Sequence, residues 1–236
     1  MKYLLALIIL FIAVPINAQW ASFDLKNIEN DKFEEQINPF IKSISLSTTR
    51  HLYSPIIINN RLRLGLTYSH GINISEKDDI SKLFGGYPNF AGKLLISENL
   101  ELKGNISVFN SGNDIVQSFA YGFGLNVTNK ETNNWRLSVL FSQLQGTDDI
   151  SIKTIDGNII YDFRINEFPI FLGFGINSYS TKILIDDELI PNKIKGNANN
   201  LLAGTIFNRG KINIAPIIQL NSDIIIMSLE ISGAFK

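Results

Sequence analysis

The chain has no cysteine among its 236 residues. Disulfides, thiol catalysis and cysteine-based metal sites are therefore excluded. Histidine is almost absent as well: only His51 and His70 could supply an imidazole. Neither sign of charge dominates. Lys and Arg number 21 against 22 Asp and Glu, for a formal net charge of -1. With no basic stripe either, that balance argues against a nucleic-acid partner. Beyond its first residues the chain also lacks an apolar run of the roughly 20 residues that a membrane-crossing helix needs. If it enters a membrane, strands must do the spanning.

The first residues have the build of a targeting segment. Lys2 supplies a positive start, Tyr3 to Val14 is apolar, and Pro15 breaks the run. Ile16-Asn17-Ala18 then offers a small residue before Gln19, so residues 1–18 read as a signal peptide cleaved after Ala18. No cysteine is present beyond it for a lipid anchor. Residues 19–59 are more charged than the rest of the chain. Phe33 and Ile37 lie four apart, as on one face of a short helix, and Pro39 is expected to limit it. Ile44, Leu46 and Thr48 alternate, and Pro55 interrupts any long strand there. This segment reads as a periplasmic lead-in, or as a plug inserted into a barrel formed by residues 60–236.

From Asn60 onward the dominant pattern is strict alternation. Leu62, Leu64, Leu66 and Tyr68 stand on one parity, with Arg61, Arg63, Gly65, Thr67 and Ser69 on the other. Such a strand needs an apolar environment on one side only. The pattern returns at residues 89–97, 100–110, 119–127, 135–141, 168–176, 201–207, 211–220 and 225–235. Residues 150–165 fit one long strand, although Asp156-Gly157-Asn158 could be a hairpin turn. About ten strands result, an even number. Long loops at 74–88 and 185–196 fall on one side. Short turns at 98–99, 129–133, 166–167 and 208–210 fall on the other, as in transmembrane barrels. The predicted fold is an all-β, antiparallel up-and-down transmembrane barrel over residues 60–236.

The parity opposite the apolar face predicts a lumen carrying Arg61, Arg63, Lys93, Glu101, Lys103, Arg136, Asp162, Arg164, Lys211 and Glu230. Such a lumen is either a narrow, mildly cationic conduit or a salt-bridged filling. Tyr68, Phe90, Trp135, Phe141, Tyr161, Phe168 and Phe235 are expected near the membrane interfaces. Motifs for chemistry are weak. Asp78-Asp79, Asp148-Asp149 and Asp186-Asp187 fall in outer loops without a calcium-loop spacing, and read as solvated acids. Divalent bridging to lipopolysaccharide is the one ligand role they suggest. Ser69 and His70 are neighbours in a strand, so their side chains point to opposite faces and make a poor nucleophile–base pair. No enzymatic activity, catalytic residue, metal or cofactor is predicted.

The signal, the alternation and a final strand with Ile225, Met227, Leu229, Ile231 and Phe235 together resemble bacterial outer-membrane β-barrel proteins. Lys236 departs from the pattern by standing after the terminal aromatic. In its richness in Ile, Asn and Lys the chain resembles small barrels of Bacteroidota-like bacteria. The resemblance implies an outer-membrane location, lipid and lipopolysaccharide as surroundings, and the barrel-assembly machinery as a partner in biogenesis. It carries over no site residue. The expected role is structural, or a narrow passive pore for small polar solutes. An adhesion protein acting through outer loops is one alternative. A soluble secreted barrel with its apolar face turned inward is another.

Overall fold

The computed structural model describes residues 20–25, 28, 33–55, 61–75, 83–129, 133–165 and 168–235. The expected signal peptide and the pair Asp78-Asp79 lie outside them. One helix, α1 (Phe33–Thr48), precedes the strands β1 (Leu62–Asn73), β2 (Gly86–Leu95), β3 (Leu100–Ser111), β4 (Asp114–Asn129), β5 (Asn133–Gln145), β6 (Ile150–Ile165) and β7 (Phe168–Ile183). The next strand, β8, is interrupted. It runs as Lys193–Asn197, Asn200–Thr205 and Phe207–Arg209, and the first two pieces pair with β7 end to end. Then come β9 (Ile212–Leu220) and β10 (Ile224–Phe235).

Each strand pairs antiparallel with the next, and β10 pairs with β1 from Leu62↔Phe235 to Asn73↔Ile224. The sheet is thus a closed barrel of ten strands with no free edge, which answers the hydrogen-bonding demand of every wall residue. Asp156 to Asn158 continue β6 without a turn, paired to both β5 and β7. At the β3–β4 hairpin Ser111 pairs with Asp114, and Gly112 takes the positive φ of 61° that the tight connection requires.

The two ends of the barrel differ. One, the loop end, carries the connections 74–85, 146–149 and 184–192; the other, the turn end, carries short ones such as 96–99 and 210–211. Both long loops are shorter than expected, because Gly86–Pro88 already belong to β2 and Lys193–Asn197 to β8. Outward side chains form an apolar belt that includes Leu66, Ile106, Phe123, Val139, Ile159, Phe174 and Ile231. The inverted arrangement of a soluble ligand-binding barrel is therefore not this one. At the turn end Trp135 lies 4.8 Å from Tyr161, and Tyr161 lies 6.0 Å from Phe163, ring centre to ring centre.

The lumen is filled by the N-terminal segment. Trp20 bridges to Gly86 at the loop end, and Ala21 N–H donates to the Gly86 carbonyl at 3.1 Å. Helix α1 then descends inside the wall, and residues 50–55 reach the turn end. Proline does not end the helix as expected: Pro39 lies inside its 16 residues. Pro39 has no N–H to offer the Glu35 carbonyl, but Ile37, Phe40, Ile41 and Ile44 bury one face around it and hold the helical path. The alternation of Ile44, Leu46 and Thr48 is likewise helical, with both faces enclosed by the barrel.

Candidate functional site

The interior has three tiers, each matched to a stretch of the lumenal segment. Toward the loop end the inward wall residues are apolar, among them Tyr87, Phe109, Leu144, Ile152, Ile194 and Ile226. They pack on Phe23, Phe33, Ile37, Phe40 and Ile44 in one buried cluster. Phe40 meets Phe23 edge-on at 5.5 Å and Phe84 at 6.0 Å. Opposite them, Gly71 of β1 lets the helix approach closely, since a Cβ there would lie 2.0 Å from Ser43 Oγ. Lys42 pairs with Asp223, and the Tyr179 hydroxyl donates to Asn38.

The middle tier is uncharged polar, and its task is visible in its bonds. A helix C-terminus leaves its last carbonyls without intrahelical partners. Here wall amides supply them. Asn89 Nδ2 donates to the Ser47 carbonyl at 3.1 Å. Asn105 Nδ2 donates to the carbonyls of Thr48 and Arg50 at 3.0 and 2.6 Å. Asn177 Nδ2 donates to the Ser45 carbonyl at 3.4 Å and to Asp156 Oδ1 at 3.0 Å. Thr48 and Ser142 share a hydroxyl contact of 2.9 Å.

The tier toward the turn end is charged on one side and apolar on the other. Arg63, Lys93 and Lys103 stand in one register row across β1, β2 and β3, all buried. Like charges facing each other across strands repel. Glu101 answers two of them, at 3.7 Å from Lys93 Nζ and 3.8 Å from Lys103 Nζ. Glu230 accepts from the backbone N–H groups of Tyr53 at 2.6 Å and Ser54 at 3.3 Å, and from the Ser232 hydroxyl at 2.8 Å. Arg136 grips Asp162 with two bonds of 2.6 Å and also donates to the Tyr53 carbonyl. Arg50 donates to Gln219. The C-terminal, negative end of the α1 dipole points into this basic group, which favours the cations there. Across the lumen Tyr53 stacks on Phe171 at 5.3 Å, within an apolar cluster that includes Ile160, Leu202 and Ile217.

His51 sits in this tier on the lumenal segment, not on a spanning strand. It is buried, and its ring stacks 4.4 Å from that of Tyr53. Burial, and then the charges of Lys103, Lys93, Arg50 and Arg136, hold its pKa well below the ordinary 6.5.

Of the ten side chains expected to line the lumen, the structure encloses Arg63, Lys93, Glu101, Lys103, Arg136 and Glu230, with Asp162 part-buried beside Arg136. The other three are corrected. Arg61, Arg164 and Lys211 are exposed. Arg61 precedes β1, Arg164 ends β6 and Lys211 lies in the β8–β9 turn, so they sit at the rim, where parity no longer decides what a side chain faces. The residues that clamp the segment, Asn89, Asn105 and Asn177, carry no charge and fall outside any charge-based reading, as do Arg50 and His51. Ser69 bonds Ser228 across the seam at 2.9 Å and does not engage His70. Asp148 and Asp149 line a loop-end cavity of about 330 Å³ together with Trp20, Asp24 and Asp114. Among the described residues no three acidic, histidine or cysteine side chains are grouped to hold a metal.

No family model and no curated protein matches the chain. Solved structures resemble it in shape. The translocator domain of the autotransporter NalP from Neisseria meningitidis aligns at a TM-score of 0.39 and 6% identity, covering 86% of this chain and 95% of that one. Neisserial surface protein A aligns at 0.34 and 10%, over 74% and 96%. The transport unit of the autotransporter AIDA-I from Escherichia coli aligns at 0.41 and 7%, over 89% and 100%. Scores below 0.5 at such identities carry nothing about what this chain does.

Proposed function

We propose that the protein is an outer-membrane barrel closed by its own N-terminal segment, with a structural or surface-contact role and no standing pore. The membrane part of this reading is carried by the outward apolar belt on a sheet without edges. A soluble monomer rarely exposes a contiguous apolar surface of that extent, whereas a bilayer requires one. The closed part is carried by the fit of residues 33–55 to all three tiers of the lumen. A passive pore for small polar solutes would have to run beside α1. The tier nearest the loop end offers such solutes only packed apolar side chains there.

Fractionation tests the membrane reading: the protein is expected in the detergent-extracted outer-membrane fraction, and recovery in a detergent-free soluble fraction would overturn it. Planar-bilayer recording tests closure. The intact protein is expected to be silent at moderate voltage, and a variant lacking residues 20–55 to conduct. Steady conductance by the intact protein would restore the pore reading. A binding role for the loops at 74–85 and 184–192 would appear as loss of surface binding when they are shortened in a barrel that still folds.

A further inference from the structure

The apolar outer belt is interrupted in one sector. On β5 to β8, toward the loop end, outward positions turn polar and basic. Gln143, Lys153, Ser180 and Lys195 occupy one register row. Lys182 and Lys193 pair with each other in the row above. All four lysines are exposed, while their neighbours Ile152, Thr154, Ile183 and Ile194 are buried toward the lumen. No ion pair joins any of the four to a described carboxylate. The acids of this sector, Asp186, Asp187 and Glu188, belong to the loop beyond β7 and not to the wall. Two lysines placed directly opposite each other destabilise a sheet unless an anion answers them.

Height and shape narrow down that anion. Ten residues of β6 separate Lys153 from Phe163 in the aromatic cluster of the turn end. At about 3.3 Å per residue and a tilt of about 40°, that is about 25 Å along the barrel axis, the height of the apolar band of such barrels. The lysines therefore stand where headgroups of the loop-side leaflet meet the wall. Beside Lys153 and Ser180 opens a groove of about 500 Å³, whose other side is Phe119, Tyr121, Phe141 and Ile155. A basic edge on an aromatic, apolar groove is complementary to an amphiphile with an anionic head.

We infer that this sector binds an anionic, phosphate-bearing lipid of the loop-side leaflet, its phosphates against Lys153, Lys182, Lys193 and Lys195 and an acyl chain in the groove. The inference rests on the membrane reading above. Its test uses the full chain in detergent micelles, with native mass spectrometry as readout. The probes are diphosphorylated lipid A, its dephosphorylated form, phosphatidylcholine and inorganic phosphate.

Diphosphorylated lipid A is expected to be retained at least about tenfold better than phosphatidylcholine. The variant K153Q/K182Q/K193Q/K195Q should lose that preference. Equal retention by the variant, or no preference for the phosphorylated lipid in the unmodified protein, overturns the site. Displacement by inorganic phosphate alone would make it a site for free phosphate, which also overturns the lipid assignment. If the variant does not fold, a salt series on the unmodified protein decides. Retention should fall as salt rises from about 0.05 to about 0.5 M, and salt-independent retention overturns the inference. Failure of the membrane reading shows separately, as protein that does not float with vesicles of any composition.

Discussion

Glu101 faces Lys93 and Lys103 from a position with almost no water access, and Asn126 donates to it at 3.0 Å. Glu101→Gln keeps the shape and removes the charge, leaving two buried ammonium groups uncompensated. It is expected to cost about 3 kcal/mol in urea unfolding followed by tryptophan fluorescence, and a cost below about 0.5 kcal/mol would contradict the pairing. His51 gives a pH dependence. Its folded pKa is lowered, so the unfolded chain takes up the proton first. Above pH 6.5 His51 has no effect on stability. As pH falls below 6.5 toward the folded value, stability should drop by up to about 1.4 kcal/mol per pH unit. His51→Phe keeps the ring beside Tyr53 and should flatten that slope in unfolding titrations between about pH 4.5 and 6.5. The sequence reveals these residues unequally. Alternation places Arg63, Lys93 and Glu101 on the inner parity, because parity is local. It misassigns Arg61 and Lys211 because it does not say how far the wall extends. Asn105 and Asn177 cannot be recognised from it at all, since their partners are backbone carbonyls of a helix far away in the chain.

Helix α1 is legible in the sequence only in part. Ile37, Phe40, Ile41 and Ile44 have the i, i+3, i+4, i+7 spacing of an amphipathic helix, but Pro39 argues locally for a stop and Ile44, Leu46 and Thr48 mimic a strand. Enclosure by the wall decides in favour of the helix. Phe40 is central to that enclosure, fully buried between Phe23 and Phe84. Phe40→Ala should destabilise the packed segment by about 3–5 kcal/mol. Limited trypsin digestion from the loop side should then cut at Lys42, and bilayer recordings should show brief openings. A Phe40→Ala protein that stays silent and uncut would mean that the polar tier alone retains the helix.

At the scale of the whole molecule, the ten-strand closed barrel is readable because lipid imposes alternation on every outward face. The apolar upper lumen is not readable in the same way, although it leaves a trace. Where alternation gives way to continuous apolar runs, as at Ile224-Ile225-Ile226-Met227, both faces are covered, here by lipid outside and the helix inside. The outward face can be tested at Val139, midway along β5 and exposed to the surroundings of the barrel. Val139→Arg should cost about 2–4 kcal/mol when the protein unfolds from vesicles. The same change should be nearly neutral if the barrel lives in water.

The path of the chain also constrains the order in which it can assemble. Residues 20–55 run from the loop end to the turn end inside a wall whose seam joins β1 to β10, the first strand and the last. A closed ring cannot be threaded afterwards by a segment that carries Phe33, Phe40 and Tyr53 through tiers already packed. The seam must therefore form around the segment. Every finished barrel then holds its filling from birth, and the last strand locks in the first part of the chain when it meets β1.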